Sequence, residues 1–157
     1  MQNQPLEHTQ VLFVATDAEE LGNLGGEDFI KQNQTRLDKN STYFLIVDSI
    51  GCKKDNRMVA GSIIPNKKYS PALEKIGDEI LASAIPKYPL HKFHFPPFLA
   101  IQSDHNPVLD NHYEFLLFGG VSLDYHTPRD NLDAIDRTKF FQICDFLECL
   151  VRKNDIQ

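Results

Sequence analysis

The sequence lacks tryptophan and has only three cysteines among its 157 residues. Cys52, Cys144 and Cys149 form no CxxC pair, so neither a disulfide framework nor a thiolate zinc site is indicated. Basic residues are scarce as well, because 16 lysines and arginines stand against 22 acidic residues and the formal net charge is −6. A surface that binds nucleic acid needs a basic patch, and the sequence shows none.

Long hydrophobic runs are also missing. No apolar stretch approaches the ~20 residues that a membrane span requires. The first ten residues, MQNQPLEHTQ, lack the apolar core of a signal peptide, which leaves the compartment open. No internal repeat, low-complexity segment or linker divides the chain. With 41% hydrophobic and 24% charged residues, the composition is typical of one globular domain over residues 1–157.

Short apolar runs alternate with helical patterns along the chain. The predicted strands are Val11–Thr16, Thr42–Val47 and Glu114–Phe118, with weaker candidates at Met58–Ile64 and Lys92–Phe95. The predicted helices are Gly26–Leu37, Tyr69–Ile85 and Asp136–Val151. Because the strand runs are continuously apolar, both of their faces are expected to be covered. The pattern predicts an α/β sandwich of three layers around a mostly parallel mixed sheet.

Carboxylates and one imidazole follow three of the predicted strands. Glu19 and Glu20 come just after the first strand, Asp48 follows the second, and His126 lies in the loop after Glu114–Phe118. Ligands of open α/β sheets bind at the carboxyl ends of the strands, where these side chains would meet. Two adjacent carboxylates are costly to bury unless a cation or a proton compensates them. The set suits a divalent ion such as zinc.

Simpler interpretations of the same residues remain open. The acidic pair is also typical of a solvated loop before a helix. A lone Asp48 after an apolar run is commonly a turn or cap residue, and a lone His126 is commonly a surface histidine. The residues alone do not decide between these interpretations and a metal site.

Four stretches resemble, in order, the later motifs of the zinc aminopeptidase family, metallopeptidase family twenty-eight. They are LFVATDAEELGNLGGEDFI, FLIVDSIG, SDHNPVLDN and LDYHTPRDNLDAID. The family includes bacterial leucyl aminopeptidases, glutamate carboxypeptidase relatives and glutaminyl cyclases. The resemblance runs from about Val11 to Val151. It implies a fold of the zinc-exopeptidase type that lacks the family's first strands, and a chain that is the carboxy-terminal part of a peptidase domain.

The resemblance also implies a role for each matched residue. Glu19 would be the general base that takes a proton from water activated by the metal. Glu20 and His126 would be ligands of one zinc ion, and Asp48 a ligand of the other. Asp104, in the Ser-Asp-His segment, would help to orient the site.

The sequence departs from the family pattern ahead of the paired glutamates. The family has a histidine in a His-x-Asp segment and an aspartate that bridges two metals, and neither is found before Val11. A complete member would bind two zinc ions, whereas this chain would hold at most one, weakly. The implied function is a zinc-dependent exopeptidase that cleaves the amino-terminal residue from a peptide with a free amino terminus.

Two alternatives accompany this expectation. The chain could be a catalytically inactive remnant or interaction module, because the upstream ligands are missing. It could also be a glutaminyl cyclase-like acyltransferase. The absence of tryptophan disfavours that branch, because the resemblance implies a substrate pocket built with indole rings. The oligomeric state and the residue preference stay open.

Overall fold

The computed structural model describes residues 4–62, 70–84, 87–95 and 103–155. In chain order the elements are α1 (Leu24–Asn33), β1 (Tyr43–Asp48), β2 (Asp55–Ser62), α2 (Pro71–Ser83), β3 (His91–Phe95), α3 (His105–Asp110), β4 (Glu114–Val121) and α4 (Arg137–Asp155). The described strands form one sheet in the order β1-β4-β2-β3. β1 is parallel to β4 and β2 is parallel to β3, whereas β2 and β4 are antiparallel. The mostly parallel mixed sheet is therefore confirmed.

β4 separates two hydrophobic cores because its side chains alternate between the faces of the sheet. Phe115 and Leu117 pack on one face with residues of α1 and α3. Leu116 and Phe118 pack on the other face with residues of α2 and α4. Helices thus cover both faces of the sheet, which is the predicted arrangement of three layers. None of the described helices is long and apolar enough to cross a membrane.

Side-chain caps fix the beginnings of the two long helices. The Ser70 hydroxyl accepts the Leu73 N–H at 3.3 Å, and the Ser70 N–H donates to the Phe115 carbonyl at 3.1 Å, which joins α2 to β4. The predicted Asp136 cap precedes α4, where its carboxylate accepts the Lys139 N–H at 3.1 Å. The apolar faces of both helices are thereby directed onto the same face of the sheet.

Most predicted elements are confirmed, with shifted ends. β2 begins three residues earlier than predicted, and the last two residues of the predicted Met58–Ile64 strand lie outside the described residues. α1 begins at Leu24 and ends at Asn33, short of the predicted Leu37. α4 continues to Asp155, because no glycine or proline interrupts its last turns. α3 was not predicted, since six residues are too few to show a helical period.

The predicted strand Val11–Thr16 is wrong. The segment is not part of the sheet, and its apolar side chains are exposed, Leu12 by 59% and Phe13 by 93%. No backbone group of residues 10–16 forms a hydrogen bond with another residue in the described ranges. A strand requires a neighbour to satisfy its backbone groups, and an apolar sequence cannot supply that neighbour by itself.

Both ends of this exposed segment are nevertheless anchored. The Asp155 carboxylate at the end of α4 accepts the N–H groups of Glu7 and His8, each at 2.8 Å. At the other end, the Thr16 hydroxyl donates to the Asp104 carboxylate. The segment therefore leads from α4 directly to the paired glutamates.

Candidate functional site

The paired glutamates lie on a short 3₁₀ turn, Glu19–Leu21. Ala18 before the turn and Gly22 after it both have left-handed backbone angles, with φ of 54° and 98°. The Gly25 N–H donates to the Asp17 carbonyl at 3.1 Å. A Cβ atom at Gly25 would lie only 2.4 Å from that carbonyl oxygen, so this approach requires glycine. The close contact between the start of α1 and the chain before the turn holds the acidic turn in place.

Asp48 lies at the carboxyl end of β1, where it pairs with Gly119 of β4. Its two carboxylate oxygens each accept a hydroxyl. Ser49 donates to one oxygen at 2.8 Å, and the buried Ser103 donates to the other at 2.9 Å. The Asp48 side chain is therefore fixed in orientation by two separate parts of the chain.

His126 lies in the loop that follows β4, with a left-handed φ of 58°. Its Nε2 atom is 2.8 Å from Oε1 of Glu20, although the two residues are 106 positions apart. The Tyr125 ring stacks on the imidazole with a centroid distance of 3.9 Å and an interplanar angle of 20°. Burial, followed by the charges of Glu20 and other carboxylates, raises the pKa of the Tyr125 phenol. Tyr125 was not predicted as a site residue, and only its position next to His126 could have indicated it.

Asp104 precedes α3 and connects the site to the exposed segment through its hydrogen bond with Thr16. Its second oxygen, Oδ1, is buried and has no hydrogen-bond partner among the described residues. A Cβ atom at Gly26 would come within 3.3 Å of this oxygen, so α1 passes close to it. A buried carboxylate oxygen without a partner is costly, and a cation or proton would relieve that cost.

The environment of Glu19 shows that the predicted site residues lie near one another. Burial raises the pKa of the Glu19 carboxyl most, and the negative charges of Glu20, Asp48 and Asp104 raise it further. The neighbouring His126 has the opposite effect and lowers this pKa. The other four candidate residues therefore all lie close enough to Glu19 to act on its carboxyl, although Glu19 and Glu20 follow no strand, contrary to the prediction.

The carboxylates and the imidazole of the candidate site are ligand types that zinc accepts, but fewer of them are grouped together than a zinc site requires. Within the described ranges, no three His, Cys, Asp or Glu side chains are grouped closely enough to hold a metal ion. Two ligands of one tetrahedral zinc ion lie about 3.4 Å apart, because each is bound at about 2.1 Å. Glu20 and His126, at 2.8 Å, are instead joined by a hydrogen bond, so zinc binding requires them to separate.

The fold and the cluster define a class: three-layer α/β domains that gather carboxylates and an imidazole at the carboxyl ends of parallel strands. Within that class, the chain belongs to peptidase family M28, whose family model matches residues 1–148. The match extends over the paired glutamates, Asp48, Asp104 and His126. The expected family is confirmed, while the roles of the individual residues stay predictions.

Two solved structures share the fold. A zinc aminopeptidase from Bacillus subtilis matches with a TM-score of 0.66 and 19% identity, over 89% of this chain and 34% of that one. An aminopeptidase from Aneurinibacillus sp. strain AM-1 matches with a TM-score of 0.63 and 24% identity, over 85% of this chain and 31% of that one. The chain therefore spans about a third of the length of these structures. A comparison with curated proteins gave no match.

Proposed function

We propose that this chain is part of a zinc-dependent exopeptidase of the aminopeptidase type, which hydrolyses the amino-terminal bond of a peptide. The observation that carries the proposal is the 2.8 Å contact between Glu20 and His126, two donors far apart in sequence, beside the partly buried Glu19. Membership in peptidase family M28 supports peptide hydrolysis, and the two similar structures are named as aminopeptidases.

The chain's own side chains would hold the metal at two places. Glu20 and His126 would hold one zinc ion, and Asp48, oriented by Ser49 and Ser103, would hold the other. When bound, zinc polarises the scissile carbonyl and lowers the pKa of water towards ~7.

Glu19 would carry the proton during hydrolysis. Its carboxylate accepts a proton from the water that attacks the carbonyl carbon, and returns it to the leaving amine nitrogen as the C–N bond breaks. Asp104 would help to orient the site, since it links the segment before Glu19 to α3.

We further propose that residues 1–157 are the carboxy-terminal part of a longer peptidase domain. The similar structures are about three times as long as the stretch matched here, and the apolar segment around Phe13 is exposed. The described residues bring two donors into contact rather than three. By itself the chain should therefore bind at most one zinc ion weakly and show little or no turnover.

The experiment compares Glu19→Gln with Glu20→Gln in the complete enzyme. Glu19→Gln keeps the shape and hydrogen bonding of the side chain but removes the base, so zinc content should stay and kcat should fall by roughly 10²–10⁴. Glu20→Gln weakens a charged ligand, so zinc content should fall, and excess zinc should partly restore the rate. Zinc is measured by mass spectrometry beside kcat, with the exposed Glu27→Gln as the control.

The two variants can also overturn the assignment. If Glu19→Gln loses zinc and Glu20→Gln keeps it, the two roles are exchanged. If neither variant changes zinc content or rate, the acidic pair is a solvated turn, as the simpler interpretation holds.

A second candidate, an inactive remnant that acts as an interaction module, is favoured by one observation. Within the described ranges no three possible ligands are grouped, and Glu20 and His126 are hydrogen-bonded to each other. Zinc titration of the 157-residue chain, together with the genomic sequence before Met1, separates the candidates. An upstream frame encoding a His-x-Asp segment and a further aspartate supports the peptidase, whereas an in-frame stop there supports the remnant.

A further inference from the structure

The two edges of the described sheet differ in how they are protected against pairing with another chain. The β3 edge carries Lys92, whose ammonium group is paired with the carboxylates of Glu74 and Asp78, each at 2.7 Å. Charged residues, prolines and bulges are the features that usually prevent an edge strand from pairing further. The β1 edge has none of these before Asp48, because its sequence is YFLIVD and its register with β4 is regular over all six residues.

A second stretch of unpaired backbone ends beside the carboxyl end of β1. The Thr16 hydroxyl donates to Asp104, and the preceding residue, Ser103, donates to Asp48 at 2.9 Å. The exposed segment Val11–Thr16 is as long as β1, and it contains no charged residue. Among the residues that the structure describes, its backbone forms no hydrogen bond and β1 has β4 as its single neighbour. Each stretch therefore has backbone groups that another strand could satisfy.

The apolar side chains of both stretches leave enough surface for a specific interface. Six of them are exposed by 39% to 93%, namely Val11, Leu12, Phe13, Val14, Tyr43 and Val47. Since a large side chain offers about 150–250 Å² when fully exposed, these six leave roughly 500 Å² on each copy. Two copies that cover each other would bury roughly 1,000 Å² with these side chains alone, and the paired backbones add to that area. The total reaches the lower bound of about 1,200 Å² for a stable, specific interface.

We propose that residues 1–157 form a two-fold symmetric dimer in which Val11–Thr16 of each copy pairs with β1 of the other copy. Two-fold symmetry uses both stretches of both copies and closes the assembly. Pairing within one chain would require the segment to move while its ends are anchored by Asp104 and Asp155. Pairing between copies requires only that the two copies approach each other. The inference does not rest on the proposed function, and in a complete peptidase domain the rest of that domain would cover the same surface.

The first test needs no variant. Sedimentation of the 157-residue chain should change from monomer to dimer between about 1 µM and about 100 µM. Hydrogen exchange should show protected amides in residues 11–16 and in residues 43–48 at the higher concentration, and both should lose this protection together on dilution. A chain that stays monomeric over this range overturns the proposal. Protection of residues 43–48 without residues 11–16 overturns it as well, because β1 would then pair with β1.

The second test uses the exchange of strands between copies. Val47→Lys places a charge on the β1 edge and Val14→Glu places one on the segment, so each variant alone should weaken the dimer at least about tenfold. In a mixture of the two, the new lysine of one copy meets the new glutamate of the other, while the second pair of strands is unchanged. The mixture should therefore dimerise more tightly than either variant alone.

The control variant is Leu132→Lys, which adds the same charge at an exposed leucine outside both stretches and should dimerise as the wild type does. A mixture that associates no better than the separate variants overturns the proposal, and so does a control that weakens the dimer as much as Val47→Lys. None of these measurements requires zinc or turnover. Failure of the dimer is therefore distinguishable from failure of the proposed peptidase function.

Discussion

At the scale of single residues, three non-glycine residues with left-handed backbone angles adjoin the candidate site. Ala18 directly precedes Glu19, Ser49 directly follows Asp48, and His126 is itself left-handed. A left-handed conformation costs roughly 1–2 kcal/mol for a residue with a Cβ atom. Such conformations persist where the surrounding structure enforces them, and they are concentrated at functional sites. Here one of them directly precedes the paired glutamates, one directly follows Asp48 at the end of β1, and the third is the candidate ligand in the loop after β4.

Gly25→Ala should disturb the acidic turn. The new Cβ atom would lie 2.4 Å from the Asp17 carbonyl oxygen and 2.6 Å from the Asp17 nitrogen, and backbone atoms cannot move aside cheaply. We expect a loss of about 1–3 kcal/mol in the free energy of unfolding, measured with urea. Gly22→Ala is the matched control, because no atom lies within 4 Å of its Cβ position and only its φ of 98° opposes the change. A smaller loss in Gly25→Ala than in the control would contradict the packing argument.

Asp155→Asn should make the free energy of unfolding less dependent on pH under acidic conditions. The Glu7 N–H lowers the pKa of the Asp155 carboxyl most, and the His8 N–H lowers it further, against the opposing effect of burial. Because the folded pKa lies below the unfolded one, the contribution to stability is complete above the unfolded pKa of about 3.9. It is lost as the pH falls through the folded pKa.

Urea midpoints of the wild type and Asp155→Asn, measured from about pH 7 down to about pH 3, test this linkage. The wild type should lose more stability than the variant below about pH 4. Asp110→Asn removes an exposed carboxylate in α3 and serves as the control. Parallel profiles for wild type and Asp155→Asn would show that the anchoring of residues 7 and 8 makes no contribution that depends on charge.

At the scale of elements, α2 shows how a cap joins two layers. Ser70 caps the helix with its hydroxyl and binds β4 with its backbone N–H. Ser70→Ala should therefore lower the free energy of unfolding by about 1 kcal/mol, while the bond to β4 remains. Ser83→Ala at the other end of the helix, where the hydroxyl only donates to the Ile80 carbonyl, should cost less. Urea unfolding of both variants distinguishes the two ends, and equal losses would contradict the capping role of Ser70.

The elements also show where prediction from sequence succeeds. β1 and β4 were predicted because each is a continuous apolar run, and residues of both contact the cores on the two faces of the sheet, although β1 is an edge strand of the described sheet. The same pattern at Val11–Thr16 gave a wrong prediction, since apolar character indicates that a segment should be covered and does not provide the covering element. The proximity of Glu20 and His126, 106 residues apart, was expected from the ends of predicted strands, but the strand before Glu20 is wrong, so the resemblance of their motifs is the sounder basis for that prediction.

At the scale of the whole molecule, the segment around Phe13 gives opposite predictions for two forms of the protein. In the 157-residue chain its ring is 93% exposed, so Phe13→Ser should reduce binding of a hydrophobic dye and self-association. In a complete peptidase domain the ring would be buried, and the same change should cost about 3–5 kcal/mol. Phe141→Ser, an exposed phenylalanine on α4, is the control and should change stability little in either form. A complete protein that tolerates Phe13→Ser as well as Phe141→Ser would show that the segment is not a core strand.

The contact between residues 4–9 and the end of α4 has a consequence for biosynthesis. Among the described residues, those at 4–9 leave the ribosome first, whereas Arg152 and Asp155, which bind them, leave last. Before α4 has been synthesised, the nascent chain can already form the sheet and the parts of the two cores that do not include α4. At that stage the segment leading to Glu19 is held at its Thr16 end alone. The exposed segment before the acidic turn is therefore anchored at both ends only after α4 has been synthesised, whereas the contact between Asp17 and Gly25 can hold the turn itself earlier.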